Sequence, residues 1–323
     1  MNSDIAEISI LTLAGGVGGA KLAKGFYLSL DPRQLKIVVN TADDTELYGL
    51  YICPDLDTMM YSLSNLSNVT QGWGIKNDSY VALNMLDFYG YDTWFNIGDK
   101  DFATHILRTE LIRSGKTLSE SIQSIKTKLG IKSEIYPMSD QKVRTICTTE
   151  IGKLKFQEYF VQHKCKPKLL KIDFEGIDLA QISTGFEQAL ETCDALVISP
   201  SNPYVSIDPI LSINTVREKI QNFNGIKIAV SPIVNGNAIK GPAAKMLNEF
   251  GEDVSCVGIA KLLHGICDVL IIDSQDLHEI KNIEKLGINA VATNTIMNSD
   301  EDKIQLAEFI LKIINNQTCN AKA

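Results

Sequence analysis

Short, mainly apolar runs without strict alternation recur along this chain, at 8–13, 36–40, 195–199, 226–230, 254–258 and 269–272, and many are separated by amphipathic stretches of helix length. Unbroken β-branched runs, unlike alternating ones, suit strands buried on both faces, and that burial requires helices above and below a parallel sheet. The first run, Ile8-Ser-Ile-Leu-Thr-Leu13, leads through the glycines between Gly15 and Gly19 into a helical pattern over 21–30, so the chain opens with a βα unit. With 45% apolar residues over 323 positions, one large core can be filled.

The middle of the sequence follows another pattern. Helices are predicted over 102–113 and 118–129, and the runs 143–149 and 153–160 flank Glu150-Ile-Gly152 as a β-hairpin. A final helix is predicted over 301–314. The expected architecture is a doubly wound, mainly parallel, Rossmann-like α/β sheet formed by residues 1–60 and 180–323. Residues 61–179 are expected to form a helical and β-hairpin insertion that covers the substrate site. No Pro/Ser-rich linker, low-complexity tract or internal repeat marks the joints.

A formal net charge of -8 argues against nucleic acid or an anionic membrane surface as partner, because both recruit clustered Lys and Arg. No apolar run approaches the ~18 residues of a membrane helix. Residues 1–7 lack the basic and apolar segments of an export signal, so a soluble cytoplasmic protein acting on small molecules is expected. The seven cysteines are odd in number and never spaced Cys-x-x-Cys, which fits reduced thiols and argues against a zinc or iron-sulfur site.

Four acidic clusters lie between Asn40 and Thr104: Asn40-Thr-Ala-Asp-Asp44, Cys53-Pro-Asp-Leu-Asp-Thr58, Trp73-Gly-Ile-Lys-Asn-Asp78 and Gly98-Asp-Lys-Asp-Phe-Ala-Thr104. Carboxylates bunched this closely need a cation, and hard oxygen donors point to Mg2+. Asp43 and Asp44 follow directly on the strand at 36–40, at the sheet edge where ligands bind, although a turn cap would also explain either one. Asp55 and Asp57 stand at i and i+2 at the head of a helix through Met59, Met60 and Leu63, so they cannot share a face. One can cap the helix, which leaves the other for a metal or a hydroxyl. Asp101 is the expected cap of the 102–113 helix, with Asp99 and Lys100 displayed in the preceding loop. His105 is expected to be structural, and Arg108 is a candidate for an anionic ligand.

The segment Gly15-Gly-Val-Gly-Gly-Ala-Lys21 sits between strand and helix, where free backbone N–H groups favour phosphate. A plain tight turn is the competing reading. Neither the dinucleotide fingerprint nor the Walker pattern is met: Lys21 occupies the third glycine position, and Leu22 stands where Ser or Thr would be. Ser199-Pro-Ser-Asn-Pro203 and Ser231-Pro-Ile-Val-Asn-Gly236 end two later strands at the same expected edge, which places Ser201, Asn202 and Ser231 near a nucleotide. Aromatics Tyr48, Tyr51, Trp73, Trp94 and Phe102 lie among the acidic clusters, where they could wall a planar ring or anchor the insertion.

Taken in order, the glycine segment, Val39-Asn-Thr-Ala-Asp-Asp44, Cys53-Pro-Asp-Leu-Asp-Thr58, Trp73-Gly-Ile, Gly98-Asp-Lys-Asp-Phe-Ala-Thr-His105, Pro137-Met-Ser-Asp140, Pro200-Ser-Asn-Pro203 and Ser231-Pro-Ile233 resemble the 2-phospho-L-lactate transferase family over about residues 8–300. The resemblance implies transfer of a phospholactyl-type group from a guanosine diphosphate-linked donor to the ribityl hydroxyl of a deazaflavin, Fo. GMP would be released, Mg2+ required, and the protein a homodimer in coenzyme F420 biosynthesis. It further implies that Asp43, Asp44 and Asp57 hold Mg2+ or receive the hydroxyl proton, and that Asp57, Asp99 and Lys100 contact Fo. The nucleotide would rest on Gly15, Gly16, Gly18, Gly19, Lys21, Ser201, Asn202 and Ser231. Lactyl, enolpyruvyl and glyceryl donors all fit. Two rivals are a nucleotide-sugar-binding metabolic regulator of the same fold, which would lack the Pro-Asp-Leu-Asp and Gly-Asp-x-Asp clusters, and a nicotinamide dehydrogenase, which the broken fingerprint disfavours.

Overall fold

The computed structural model describes residues 8–321; the leaderless reading of residues 1–7 lies outside them. Seven strands, numbered here in chain order, form the central sheet: β1 (Ile10–Ala14), β2 (Leu35–Val39), β3 (Glu134–Pro137), β4 (Ala195–Ile198), β5 (Ile226–Val230), β6 (Val269–Asp273) and β7 (Asn289–Thr293). Every pairing is parallel and the spatial order is β7-β6-β5-β4-β1-β2-β3. Strand order therefore reverses between β1 and β4. That reversal opens a crevice at their carboxyl ends, where ligands of doubly wound sheets bind. β1 and β4 are buried at every position, as their unbroken apolar runs require.

One apolar layer packs α1 (Val17–Ser29), α2 (Pro54–Leu63) and the C-terminal helix Asp300–Ala321 on one face of the sheet; a second layer, including Phe186, Leu247 and Ile259, covers the other. The middle region holds α3 (Val81–Phe88), α4 (Asp99–Arg113) and α5 (Leu118–Lys128). It also holds an antiparallel three-stranded sheet in which Arg144–Thr149 lies between Gly152–Lys155 and Leu169–Glu175.

Three expectations need revision. The run at 254–258 is not a strand: Ser255 Oγ accepts from the N–H groups of Val257 and Gly258 and starts the helix Cys256–Leu262. An apolar run this short cannot by itself distinguish a strand from a helix, and the cap decides here. The second hairpin strand ends at Lys155, before a π-helical turn over Glu158–Gln162. Finally, the segment 61–179 does more than cover the sheet, because β3 within it pairs with β2 as the edge strand.

Candidate active site

The glycine segment ends β1 and starts α1 at the reversal point. Gly15, Gly16, Gly18 and Gly19 do not have left-handed backbones. Their small size answers close packing. A Cβ on Gly18 would fall on the Pro200 carbonyl oxygen, one on Gly15 on Ser206, and one on Gly16 would lie 2.6 Å from Asp55 Oδ1. The loop after β4 is thus seated on the head of α1, and Gly15 N–H donates to Ser201 Oγ at 3.0 Å. No side chain caps α1, so the N–H groups of its first turn have no intrahelical acceptor and face the region that Asp55 approaches.

Around that point the structure gathers three carboxylates. Asp43 and Asp44 follow β2, and Asp55 enters from the first turn of α2. Asn40 ties them together: its amide donates to Asp55 Oδ2 at 3.0 Å and to the Val205 carbonyl at 3.1 Å, while its oxygen accepts from Ala42 N–H. Asp43 and Asp44 are 5% and 3% exposed, and Asp43 Oδ1 and both Asp44 carboxylate oxygens have no hydrogen-bond donor. Burial pushes the Asp43 carboxyl well above the usual range, and the nearby Asp55 adds to the shift. Burial likewise raises Asp44 to about 7, opposed by Arg144, and Asp55 to about 6, opposed by the Asn40 amide. Buried carboxylate oxygens without a donor are costly unless a proton or a cation offsets them, and oxygen donors of this type suit hard divalent cations.

Asp43 and Asp44 open onto a cavity of about 260 Å³ that is also lined by Thr45, Glu46, Arg144 and Lys155. Thr145 N–H donates to the Ala42 carbonyl and Gln157 Nε2 to the Asp43 carbonyl, so the three-stranded sheet clamps the acidic loop from outside. Arg144 is held by the carbonyls of Thr41 and Val143 and by Tyr51 Oη, 3.0 Å away, with its guanidinium 5.4 Å from the Tyr51 ring centroid. The cavity therefore sets carboxylates beside a fixed guanidinium.

Asp57 faces the other way, as its i+2 spacing from Asp55 requires. Its Oδ2 accepts from Arg108 Nη1 at 3.1 Å, a second contact joins Arg108 Nη2 to Oδ1, and His105 Nδ1 lies 3.6 Å away. His105 Nε2 is 3.4 Å from Asp101 Oδ1, and Asp101 accepts from Tyr61 Oη at 2.7 Å. Although Asp57, Asp101 and His105 could converge on a metal, the fully buried Arg108 already neutralises Asp57. Arg108 thus pins α2 to α4 in place of meeting an anionic ligand, and His105 is buried within the same network.

Asp101 does not cap its helix. That role belongs to Asp78, which accepts from the N–H groups of Lys100 and Asp101; Asp99 in turn accepts from Ser79 Oγ and from the N–H groups of Val81 and Ala82 at the head of α3. Asp99 is consequently engaged in holding α3 to α4, and Lys100 Nζ donates to the Asn77 carbonyl at 2.6 Å. Among the proposed nucleotide residues, Ser201 meets the glycine segment, whereas Asn202 caps its own turn and Ser231 Oγ bonds to Ile233 N–H and carbonyl. Lys21 donates to the Met297 carbonyl at 2.6 Å and lines a separate cavity, not the acidic one. The sequence signals missed Asp55 as the acid directed at α1 and Arg144 as its neighbour's counter-charge. A helix-face argument could have found Asp55, whereas nothing local marks Arg144.

The family model described as 2-phospho-L-lactate transferase CofD matches residues 10–315. Similar proteins named 2-phospho-L-lactate transferase include one from Methanococcoides burtonii, 38% identical over 95% of this chain and 100% of its own length. Others come from Methanosarcina acetivorans, 36% identical over 95% and 99%, and from Methanocaldococcus jannaschii, 36% over 94% and 97%. A crystal structure of a UPF0052-family protein from Bacillus halodurans shares the fold with a TM-score of 0.62 at 14% identity, covering 94% of this chain and 98% of that one.

Proposed function

The chain belongs to the 2-phospho-L-lactate transferase family, and from that premise we infer that it moves a 2-phospho-L-lactate-type group from a guanosine diphosphate-linked donor to the terminal ribityl hydroxyl of Fo, releasing GMP. It is a transferase of coenzyme F420 biosynthesis, and the comparisons lend no support to a regulator without transfer activity. The observation that carries the chemical reading is the set of buried carboxylates without donors at the reversal point of the sheet.

Such transfer depends on positioning and charge neutralisation more than on covalent help. We assign Mg2+ to Asp43 and Asp55, whose burial and mutual repulsion call for a cation. When bound, the ion would neutralise the diphosphate and act as a Lewis acid on its oxygens. The uncapped head of α1 offers N–H groups to the same phosphates. Asp44, on the cavity wall with Arg144, takes the proton of the attacking hydroxyl. Asp57 shapes the site through Arg108 without touching metal or Fo. Asp99 and Lys100 contribute to Fo binding by fixing the junction of α3 and α4. GMP leaves as a stable anion, so no strong acid is needed opposite Asp44.

Turnover with Fo, Mg2+ and each of the lactyl, enolpyruvyl and glyceryl donors, read by mass spectrometry of the deazaflavin product, tests the reaction and selects the donor. A phosphate-linked product with one donor is expected. Fo binding without product on any of the three would overturn it. A homodimer in the cytoplasm completes the proposal, and a monomer by light scattering at working concentration would contradict its first half.

A further inference from the structure

A second cavity, of about 240 Å³, opens beside α1 and shares no lining residue with the acidic pocket. Its walls carry five lysines, Lys21, Lys24, Lys76, Lys240 and Lys303, against one carboxylate, Asp300. In a chain with a net charge of -8 this is a strong local reversal of sign. Among the described residues only Lys303 of the five forms an ion pair, with Asp300 at 2.7 Å. Lys24 is 4% exposed and is held by neutral acceptors alone, Asn65 Oδ1 at 2.7 Å and the Leu63 carbonyl at 3.4 Å; Lys21 has the Met297 carbonyl. Burial lowers both lysines from their ordinary value; Lys240 and Lys303 depress Lys21 further against Asp302, while Asp300 opposes the shift at Lys24 and Lys303 adds to it. With one carboxylate among five ammonium groups the cavity keeps a net positive charge, which a bound anion would offset.

Residues 66–76 form part of the cavity wall, a loop tied to itself by Lys76 N–H to the Leu66 carbonyl, Asn68 N–H to the Gly74 carbonyl and Gly72 N–H to the Asn68 carbonyl. Gly72 is left-handed at φ +83°, and a Cβ there would lie 2.5 Å from Lys240 Nζ and 3.6 Å from Val17. Val17 is also the first residue of α1, so this cavity and the glycine segment meet at one helix start.

We propose that the lysine cavity is a polyanion subsite that takes up the diphosphate of the donor before it passes to the head of α1. This rests on the transferase reading. Ammonium groups act as point charges without a fixed fork, which suits phosphate oxygens of variable orientation. Lys76 and Lys240 are its exposed cations, and the half-buried Lys21 and buried Lys24 its inner ones.

The test uses the full-length protein in metal-free buffer at low salt, titrated with inorganic pyrophosphate by calorimetry. The wild type is expected to bind with an affinity that falls as salt rises. The Lys76→Gln/Lys240→Gln double variant, whose exposed side chains support no core packing, should lose about tenfold or more, as removal of two nearby charges predicts. Lys24→Met should lose more. If Lys24→Met does not fold, the double variant still decides. Asp55→Asn, the control at the metal site, should bind pyrophosphate at least as well as wild type. In turnover, the double variant should raise the donor KM about tenfold while the Fo KM is unchanged. Pyrophosphate bound equally by wild type and double variant, or a donor KM left unchanged, would overturn the subsite. Absence of transfer by the wild type on any donor, with lysine-dependent pyrophosphate binding intact, would instead sink the transferase reading and leave an anion site of another purpose.

Discussion

Asp44→Asn should make the metal-free protein more stable at alkaline pH while abolishing its activity. Burial raises the Asp44 carboxyl from 3.8 to about 7, so the folded state holds a proton that the unfolded state has released. For a group raised in this way, its stabilising contribution is complete below about pH 4 and is lost as pH rises through about 7. At about 1.4 kcal/mol per pH unit, the wild type should lose about 3 kcal/mol from this residue between pH 5 and pH 8 in chelator. With an unfolding entropy of about 2.1 cal/mol/K per residue over the chain, that is a fall in Tm of about 4 °C which Asp44→Asn should escape. Thermal unfolding of both proteins at pH 5 and pH 8, with chelator and then with Mg2+, reads the effect directly. Mg2+, held at Asp43 and Asp55, should stabilise both proteins alike. Parallel pH profiles in chelator would refute the reading of this carboxylate as a buried group that keeps its proton until about pH 7.

Asp55→Asn should cut kcat at least about 100-fold and raise the Mg2+ concentration for half-maximal rate; unchanged Mg2+ dependence would remove Asp55 from the metal site. Arg108→Met leaves Asp57 buried without its partner and should cost about 3–5 kcal/mol by thermal denaturation, part of which Asp57→Asn/Arg108→Met recovers. Gly18→Ala should destabilise by about 1–3 kcal/mol, since its Cβ meets the Pro200 carbonyl, and a neutral result would discredit the packing account of that glycine. Asp99→Ala removes the acceptor at the head of α3 and should cost about 1 kcal/mol locally, seen as faster hydrogen exchange over 79–88 together with a raised KM for Fo.

Most of the central sheet was legible because burial on both faces leaves an unbroken apolar run, and five of its seven strands carry one. The edge strands β3 and β7 are short or half-exposed and carry no such run, so they emerge only from pairing with β2 and β6. The run at 254–258 shows the converse, a β-branched segment turned into a helix by a serine cap. The acidic clusters were visible as composition, but not which acid each would face. Helix phase separates Asp55 from Asp57, and what waits on each side comes from distant chain: the glycine segment 40 residues upstream for one, Arg108 51 residues downstream for the other. Asp78 and Asp99 likewise cap each other's helices across about 20 residues. By itself, then, the sequence determined the parallel sheet, the loops at its carboxyl edge and the family. Only the tertiary structure decided which carboxylates stay buried without a donor, which are neutralised by arginine, and that five lysines from separate segments share one cavity, because charge pairing depends on distance in space and the chain order does not encode it.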